Sequence, residues 1–418
     1  MNLHSCSGRT LIVLWAACSW PVAGYCANWS VDPRVEVGGQ TDDNYRLLPS
    51  GFHDSVSGLF GDARFDIHTV DPVNELRFSP GVHATWFPST SEEDSTDPYA
   101  EFYTAHHGER TTATMLASYI KQTVVRSNLL ATGTNGGLGN PDTGDAGYIA
   151  LRNRQQLISV SPTLIHEFTP RDSLNVNLNY TNATYDKYIP NFNVGYAHYG
   201  ADIAFSHAFT ERQSWLIHGL FTRNDPDNPA GIPVFNSTTN AYGLMGEWRY
   251  RVTDVAQAYV RAGGQRSQFN AVGTLPSRSE TTYIAGAGVN WNYQITRLFL
   301  DLTRTVDPSS TGYSIERNQL RFQVTRNLTP LVSGFVAVRA LSDKAADTRA
   351  VFRGRTYGMG SIGLEKRFLR QWSVRGQYNY TYQDYKGDGF GREVSNMFEL
   401  SVVYEPKRET ASVGRYQR

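Results

Sequence analysis

Between Ser173 and Tyr180 the chain alternates strictly, with apolar side chains at the even positions and Ser or Asn at the odd ones. A period of two residues is typical of a β-strand that has one apolar and one wet face. Asparagine is a poor strand residue, so three in alternate positions require a sheet whose polar face meets water. These three are Asn175, Asn177 and Asn179.

A segment of this kind recurs along the chain with a period near 40 residues. Each copy has an apolar residue, then Thr, then a short polar turn, then an alternating strand. The threonines are Thr169, Thr210, Thr253, Thr296 and Thr329, which are 41, 43, 43 and 33 residues apart by subtraction. Each repeat contains two strands, whereas a propeller blade contains four.

The links between the predicted strands are of two kinds. One kind is tight, as in "FTPRD" and "NLTP", and the other is long and polar, as in "TRNDPDNPAGIPVFNSTTN". Short turns at one side and long loops at the other are typical of outer-membrane barrels. Strands of about 10 to 14 residues are long enough to cross a bilayer when tilted.

We therefore predict an all-β fold, a transmembrane antiparallel up-and-down β-barrel with short periplasmic turns and long extracellular loops. The pattern favours 18 strands, with 16 as the alternative. The predicted strands are 29–40, 56–68, 75–87, 98–107, 110–121, 154–168, 173–185, 196–209, 213–223, 239–251, 255–268, 280–295, 297–306, 315–328, 330–341, 356–368, 372–385 and 396–405.

Aromatic residues near both ends of the strands favour a membrane barrel over a soluble sandwich. Two aromatic bands at opposite strand ends suit two lipid interfaces, although a soluble sheet can also carry aromatics at strand ends. Beside the short turns lie Phe168, Phe209, Tyr250, Tyr293 and Phe368. Near the long loops lie Tyr185, Tyr188, Tyr313, Tyr357 and Tyr385.

The N-terminus has the features of a signal peptide over residues 1–27. Arg9 precedes the short apolar stretch Leu11–Cys18, and small residues follow up to Ala27. Cleavage after Gly24, or lipidation at Cys18, are the alternatives. All three cysteines precede residue 27, so we expect a mature chain without disulfides. The barrel then covers 28–405, and 406–418 form a polar tail.

Charge and motifs exclude several other functions. Lys and Arg together number 39, as do Asp and Glu, so no basic field favours nucleic acid. The adjacent His106 and His107 would point to opposite faces of a strand and are unsuited to chelating one metal ion. The sequence has no G-x-S-x-G, H-E-x-x-H or P-loop motif. We expect no cofactor, no metal and no enzymatic activity.

Inward-facing charges are the stronger candidates for a functional site. Strand parity places Arg261, Arg321 and Arg375 on the polar face, opposite to apolar neighbours. Arginines in a pore would favour anions or bind sugar hydroxyls and carboxylates. The alternative is that they pair with Asp301 or Glu365 and stiffen the wall. The other predicted lining residues are Tyr259, Gln377, Asn175, Asn177 and Asn179.

The longest irregular segment, 122–154, follows the fifth predicted strand and is the third long loop. We consider two interpretations, a constriction loop folded into the barrel and a plain surface loop.

Three stretches resemble a known family. They are "WSVDPRVEVGGQTDDNYRL", "SVSPTLIHEFTPRDSLNVNLNYTNATYDKY" and the later Thr-turn hairpins. They are similar to the outer-membrane β-barrel porins of Gram-negative bacteria, the β-barrel porin 2 group. The last strand, "MFELSVVY", resembles the C-terminal signature that such proteins present to the barrel-assembly machinery, although a polar tail follows it here.

This resemblance implies a passive outer-membrane channel, in contact with lipid, for small polar solutes. It also leaves a second hypothesis open, a non-catalytic outer-membrane component of exopolysaccharide or surface secretion. Neither the transported solute nor the oligomeric state follows from the sequence.

Overall fold

The computed structural model describes residues 29–49, 51–125, 152–189, 192–227, 238–270, 276–347, 354–386 and 391–406. The predicted signal peptide, nearly all of the polar tail and the body of the 122–154 loop lie outside these residues. Within them, no helix is long and apolar enough to cross a membrane.

The described chain is built almost entirely of β-strands. They are β1 (Trp29–Asp42), β2 (Val56–Val70), β3 (Asn74–Trp86), β4 (Ser95–His107), β5 (Thr111–Thr123), β6 (Arg154–Glu167), β7 (Asp172–Tyr185), β8 (Tyr196–Ala208), β9 (Gln213–Pro226), β10 (Thr239–Thr253), β11 (Ala256–Phe269), β12 (Arg278–Tyr293), β13 (Thr296–Pro308), β14 (Ser314–Thr329), β15 (Val332–Ala345), β16 (Arg355–Arg367), β17 (Trp372–Tyr385) and β18 (Gly391–Tyr404). One short 3₁₀ helix, Ser91–Glu93, lies between β3 and β4.

The strands form a single closed sheet. Each strand pairs antiparallel with the next one in the chain, and β1 pairs with both β2 and β18. Closure gives every strand a paired neighbour on both sides, which is what a β-structure inside lipid requires. The predicted 18-stranded up-and-down barrel is confirmed, and the alternative of 16 strands is wrong.

The two ends of the barrel differ in their links. At one end, which we call the turn end, every link has two to four residues, as at 71–73 and 330–331. At the other, the loop end, the links have five or more residues, from 309–313 to 124–153. Both ends of the described chain lie at the turn end. The predicted asymmetry of turns and loops is therefore present.

The recurring threonines stabilise the short turns. The hydroxyl of Thr169 accepts hydrogen bonds from the backbone N–H groups of Arg171 and Asp172, at 3.1 and 3.0 Å. Thr210 and Thr329 make the same pair of bonds with the residues two and three positions on. Such side-chain bonds help to hold a turn and add to its backbone bonds. Thr296 differs, because it begins β13 after its turn.

The wall is apolar outside and polar inside. Large apolar side chains such as Val37, Ile217, Leu244 and Ile362 are exposed on the outer surface. A soluble protein does not expose so much contiguous apolar surface, whereas lipid requires it. At the turn end, Trp248 stacks on Tyr250 and Trp291 on Tyr293, with ring centroids 5.7 and 5.9 Å apart.

The predicted aromatic band at the loop end is partly wrong. Tyr313 and Tyr357 are buried rather than exposed to lipid, and Tyr357 lies on the inner face opposite Leu341. Burial removes them from any lipid interface. The exposed outer aromatics toward this end include Trp86, Tyr199, Tyr242, Tyr283 and Tyr380.

Candidate pore lining and constriction

The asparagine face of β7 lies inside the barrel. Val176 pairs with Leu164 and Ile203, whose side chains are exposed on the outer wall, so the opposite parity faces inward. Asn177 donates a hydrogen bond to the Thr163 hydroxyl at 3.0 Å. Asn177 and Asn179 are exposed although they face inward. The bore beside them is therefore wide enough to admit water. Asn175 shares this face one step nearer the turn end.

Arg261 lies on the inner face of β11. Its guanidinium is 5.5 Å from the centre of the Tyr259 ring. Its stem lies against Gly286 of β12, where a Cβ would come within 2.6 Å of the Arg261 Nε. Among the described residues, no carboxylate oxygen lies within 4.0 Å of this guanidinium. Arg261 therefore has no ion-pair partner among the described residues, although Glu247 is its cross-strand neighbour on β10.

Arg321 is paired. Its Nη2 is 2.8 Å from Oδ2 of Asp301, and its guanidinium is 5.5 Å from the Phe299 ring. The Tyr259 hydroxyl donates a hydrogen bond to the other carboxylate oxygen of Asp301. The structure thus brings Tyr259, Arg261 and Arg321 together around Asp301 on the inner wall. We call these four residues the arginine cluster.

Arg375 lies on another part of the wall and is also paired. It is 3.1 Å from Glu365 of β16 and 3.4 Å from Glu36 of β1. Glu36 also accepts a hydrogen bond from the Ser401 hydroxyl at 2.7 Å. These bonds link strands on both sides of the point where the barrel closes. The structure therefore contains the alternative arrangement, in which Arg321 pairs with Asp301 and Arg375 pairs with Glu365.

Gln377 faces inward but is held against the wall. It is buried, and its amide donates a hydrogen bond to the side chain of Asn379 at 2.8 Å. The predicted lining residues therefore share the inner face but do not form one pocket. They lie on β7, β11, β14 and β17.

An apolar cluster near the loop end was missed by the sequence analysis. Its buried members, which we call the apolar plug, are Leu47, Val124, Leu341, Tyr357 and Met359, and Val125 and Tyr185 pack against them. Val124 follows β5 and Tyr185 ends β7, whereas Leu341 belongs to β15 and Tyr357 and Met359 belong to β16. β7 and β16 are nine strands apart in the ring of 18. The plug therefore joins opposite walls across the bore.

Leu47 reaches the plug because the loop between β1 and β2 turns inward. Its φ of +50° lies in the left-handed region that side-chain-bearing residues rarely adopt. Asn44 fixes the turn by accepting a hydrogen bond from the Leu48 N–H at 2.8 Å. The amide of Asn44 also donates to the carbonyls of Leu48 and Val394, each at 3.0 Å. The last bond ties the loop to β18.

Buried charges flank the plug on the β14–β16 side. Arg317 binds the carboxylate of Asp343 through two bonds of 2.8 and 3.0 Å. Arg355 lies 3.5 Å from the same carboxylate and 5.5 Å from the centre of the Tyr357 ring. A bidentate pair of this geometry is among the arrangements that offset the cost of burying charge. Arg317 and Arg355 therefore share one buried carboxylate beside the plug.

Ion pairs also connect the loops at this end. Arg46 is 2.8 Å from Asp54 and 3.4 Å from Glu93, and Arg152 is 2.6 Å from Glu93. Arg152 also donates a hydrogen bond to Glu92, which lowers the pKa of that carboxyl. The network links the first long loop, the second and the end of the third.

A cavity of 220 Å³ lies beside this network, lined by residues that include Arg46, Glu93, Val124 and Arg152. Of the 122–154 segment, 122–125 and 152–154 are described, and Gln122, Val124 and Asn153 are buried here. Whether the segment forms a constriction depends on 126–151, which lie outside the described residues. Within the part of the chain that is described, no three His, Cys, Asp or Glu side chains are grouped to hold a metal.

Two signals in the sequence pointed to these missed residues. Leu47 and Leu48 are adjacent aliphatic residues within a long loop. Arg317, Arg339 and Arg355 have the inward parity of three neighbouring strands, as Arg321 does. The distance across the bore cannot be deduced from the sequence. That distance determines whether Leu47 and Tyr357 can belong to one cluster.

Comparison with known proteins gives similar barrels and no close relative. No family model and no characterised protein matches the chain. The FrpB iron transporter from Neisseria meningitidis aligns with a TM-score of 0.46 at 9% identity, over 90% of this chain and 81% of that one. OccK2 (OpdF) of Pseudomonas aeruginosa aligns with a TM-score of 0.45 at 8% identity, over 90% and 98%. OccAB2 of Acinetobacter baumannii gives 0.44 at 9% identity, over 91% and 98%.

These neighbours are Gram-negative outer-membrane barrels. At such identities and scores they transfer neither a substrate nor a mechanism. The fold rests on the closed sheet of this chain, and the function must be argued from its own wall and bore.

Proposed function

We propose that this protein is a porin-like channel for passive passage of small polar solutes across the outer membrane of a Gram-negative bacterium. The observation that carries the proposal is the closed 18-stranded wall, apolar outside and lined with exposed asparagines and charges inside. The turn end faces the periplasm and the loop end the cell exterior, as in other barrels of this architecture. The proposal contains no catalytic step.

Two features would set which solutes pass. Arg321 and Arg375 have carboxylate partners, whereas Arg261 has none within 4.0 Å among the described residues, so we expect a weak preference for anions. The apolar plug restricts the bore at the loop end, so we expect a conductance well below that of an unobstructed 18-stranded barrel. Selection would therefore combine charge at the arginine cluster with size at the plug.

Planar-bilayer recording tests this function. The wild-type protein should give discrete conductance steps, and Leu47→Gly should enlarge them. This substitution removes the side chain that crosses the bore and places glycine at a positive φ, which glycine adopts without strain. If neither protein conducts at any voltage or salt concentration, the channel proposal is wrong.

The apolar plug favours one other candidate function. A non-catalytic outer-membrane component of exopolysaccharide or surface secretion would stay closed until a partner displaced the plug. In that case the wild-type protein alone would be silent and Leu47→Gly would conduct. The same recordings therefore separate an open porin from a partner-dependent exporter.

We also propose that the chain is a member of the β-barrel porin 2 group and that its N-terminus is processed before assembly. The Thr-stabilised turns support the group, and β18, with Phe398, Leu400, Val402 and Tyr404 on one face, supports recognition by the barrel-assembly machinery. We expect removal of residues 1–27 before assembly and retention of the 406–418 tail. N-terminal sequencing and intact-mass measurement of protein from outer membranes check both.

A further inference from the structure

The wall has a seam between β12 and β13. These strands pair over nine positions, from Tyr293–Thr296 to Ala285–Arg304. By contrast β13 pairs with β14 over thirteen positions, out to Pro308–Ser314. Residues 278–284 of β12 and 305–308 of β13 therefore have a ladder partner on one side and none across this seam. The two strands separate toward the loop end.

Side chains take the place of the missing ladder. Arg304 donates through Nε to the backbone carbonyl of Tyr283 at 3.2 Å, and its guanidinium lies 4.0 Å from the centre of the Tyr283 ring. The same guanidinium donates to Asn318 at 3.0 Å and to Glu316 at 2.5 Å. Thr282 donates to the other oxygen of Glu316 at 3.1 Å. The seam is thus closed by polar groups, whereas the middle of the outer wall carries large apolar side chains.

Cations collect on the outer surface around this seam. Lys344 of β15 is 59% exposed and lies 2.8 Å from Glu316. Arg266 of β11 faces outward opposite Tyr242 and bonds the Ser279 hydroxyl at 3.1 Å. We call Arg266, Arg304 and Lys344 the outer cation patch. Of these three cations, Arg304 and Lys344 share the Glu316 carboxylate, so these four side chains together carry a net charge of about +2 at neutral pH.

The position of the patch fits a lipid headgroup. Nearer the middle of the same strands, the outer wall carries exposed Leu244, Val260 and Leu302. A charged side chain is costly at the bilayer midplane and inexpensive near the interface. Exposed Tyr242 and Tyr283 lie beside the patch, and interfacial tyrosines mark headgroup level. Cations therefore lie where phosphate groups lie, above an apolar surface suited to acyl chains.

We propose that the outer cation patch binds the phosphate groups of a lipid headgroup in the leaflet at the loop end. The planar fork of a guanidinium matches phosphate oxygens, and Lys344 adds an exposed point charge. Arg304 is already engaged in closing the seam, so Arg266 and Lys344 supply most of the free donors. The proposal needs the barrel to be embedded in a membrane and does not depend on conduction through its bore.

The opposite wall provides a matched control. Lys121 also faces outward near the loop end, on β5, and lies 2.9 Å from Asp186. β5 and β14 are nine strands apart in the ring of 18. Lys121 is paired and lies away from the seam. Lys121→Gln removes a cation from the outer wall without touching the patch.

The experiment uses the full-length protein reconstituted in phosphatidylcholine vesicles doped with lipid A, then extracted with mild detergent. Native mass spectrometry counts lipid A molecules retained per barrel. The wild type and Lys121→Gln should retain lipid A alike. The double variant Arg266→Gln/Lys344→Gln should retain it with an affinity lower by about fivefold for each cation removed. Both substitutions avoid the seam bonds of Arg304, so the barrel should still fold.

A competition arm distinguishes a lipid from free phosphate. Millimolar inorganic phosphate should not displace lipid A from the wild type, because the acyl chains contribute binding that free phosphate lacks. Displacement by inorganic phosphate would mean a site for free anions and would overturn the lipid assignment. Equal retention by the double variant, the wild type and Lys121→Gln would overturn the site itself.

Discussion

The hydroxyl of Tyr259 reaches the carboxylate of Asp301 across an intervening strand. Tyr259 is on β11 and Asp301 on β13, and the residue between them on β12 is Gly288, which pairs with both. A Cβ on Gly288 would lie 2.4 Å from Cε1 of Tyr259 and 2.9 Å from the Leu300 carbonyl oxygen. The missing side chain is therefore what lets the tyrosine lie flat and hold Asp301.

Gly288→Val should destabilise the barrel by about 1–3 kcal/mol, because the new side chain overpacks this contact and displaces Tyr259. Unfolding by urea in lipid vesicles measures the change. Gly264→Ala is the control, since a Cβ on Gly264 meets nothing within 4 Å, and it should change the free energy of unfolding by less than about 0.5 kcal/mol. A similar effect of both substitutions would contradict the role assigned to Gly288.

Two substitutions in the arginine cluster should shift the ion preference of the channel in opposite directions. Arg261→Gln removes a positive charge that has no ion-pair partner among the described residues, so reversal potentials in a salt gradient should move toward cations. Asp301→Asn removes the partner of Arg321 and should move them toward anions. Both shifts should grow at low ionic strength, where screening is weak. The side chains stay polar and similar in size, which limits changes in pore width.

Shifts in the same direction, or none in either variant, would mean that ions do not pass beside this cluster. Arg375→Gln serves as a further comparison, because it leaves Glu36 and Glu365 without that cation. Arg375→Gln should therefore move the reversal potential further toward cations than Arg261→Gln does, if ions reach the bore near β17 equally well.

The sequence was sufficient to predict the strands because their pattern is local. Alternation around Val176 and Asn177 shows which residues share a face, and the Thr-containing turns show where strands end. Most predicted boundaries lie within a few residues of those observed. The larger difference is at β18, which begins at Gly391 rather than 396. Its first residues, "GREVS", alternate too weakly to be assigned from sequence.

Partners across the bore were not predictable in the same way. Parity placed Arg321 and Arg375 inside but could not choose between free and paired side chains, since that depends on register with β13 and β16. Tyr357 was assigned to a lipid interface because it follows a loop. It instead shares the inner face with Leu341, so its side chain packs in the plug. The curvature of the closed ring brings Leu47 to it, and no local pattern encodes that curvature.

The inward turn of the first loop depends on Asn44. Its side chain bonds the N–H and carbonyl of Leu48 and the carbonyl of Val394, and the residue is fully buried. Asn44→Ala should cost about 1–3 kcal/mol, because buried backbone groups lose their partners. It should also loosen Leu47 and raise single-channel conductance.

Recording Asn44→Ala beside Leu47→Gly separates anchoring from blockage. Leu47→Gly should raise conductance, and relief of the positive φ should offset part of the stability lost with the buried side chain. Asn44→Ala should raise conductance and lower stability together. If Asn44→Ala is as stable as the wild type and conducts no more, the loop is held in place by other contacts, such as those of Arg46.

The two faces of β7 allow the sharpest test of the orientation of the wall. Val176 lies between exposed Leu164 and Ile203 on the outer surface, and Asn177 faces the bore beside Thr163. Val176→Arg should cost roughly 2–4 kcal/mol if it lies near the bilayer midplane, because the charge meets hydrocarbon. Asn177→Arg should cost little, because its side chain meets water. Urea unfolding of both variants in lipid vesicles measures the difference in their free energies of unfolding. This difference should disappear in detergent if water then reaches the outer wall. Equal losses in lipid would show that Val176 does not face acyl chains, and the inside-out assignment of this strand would then be wrong.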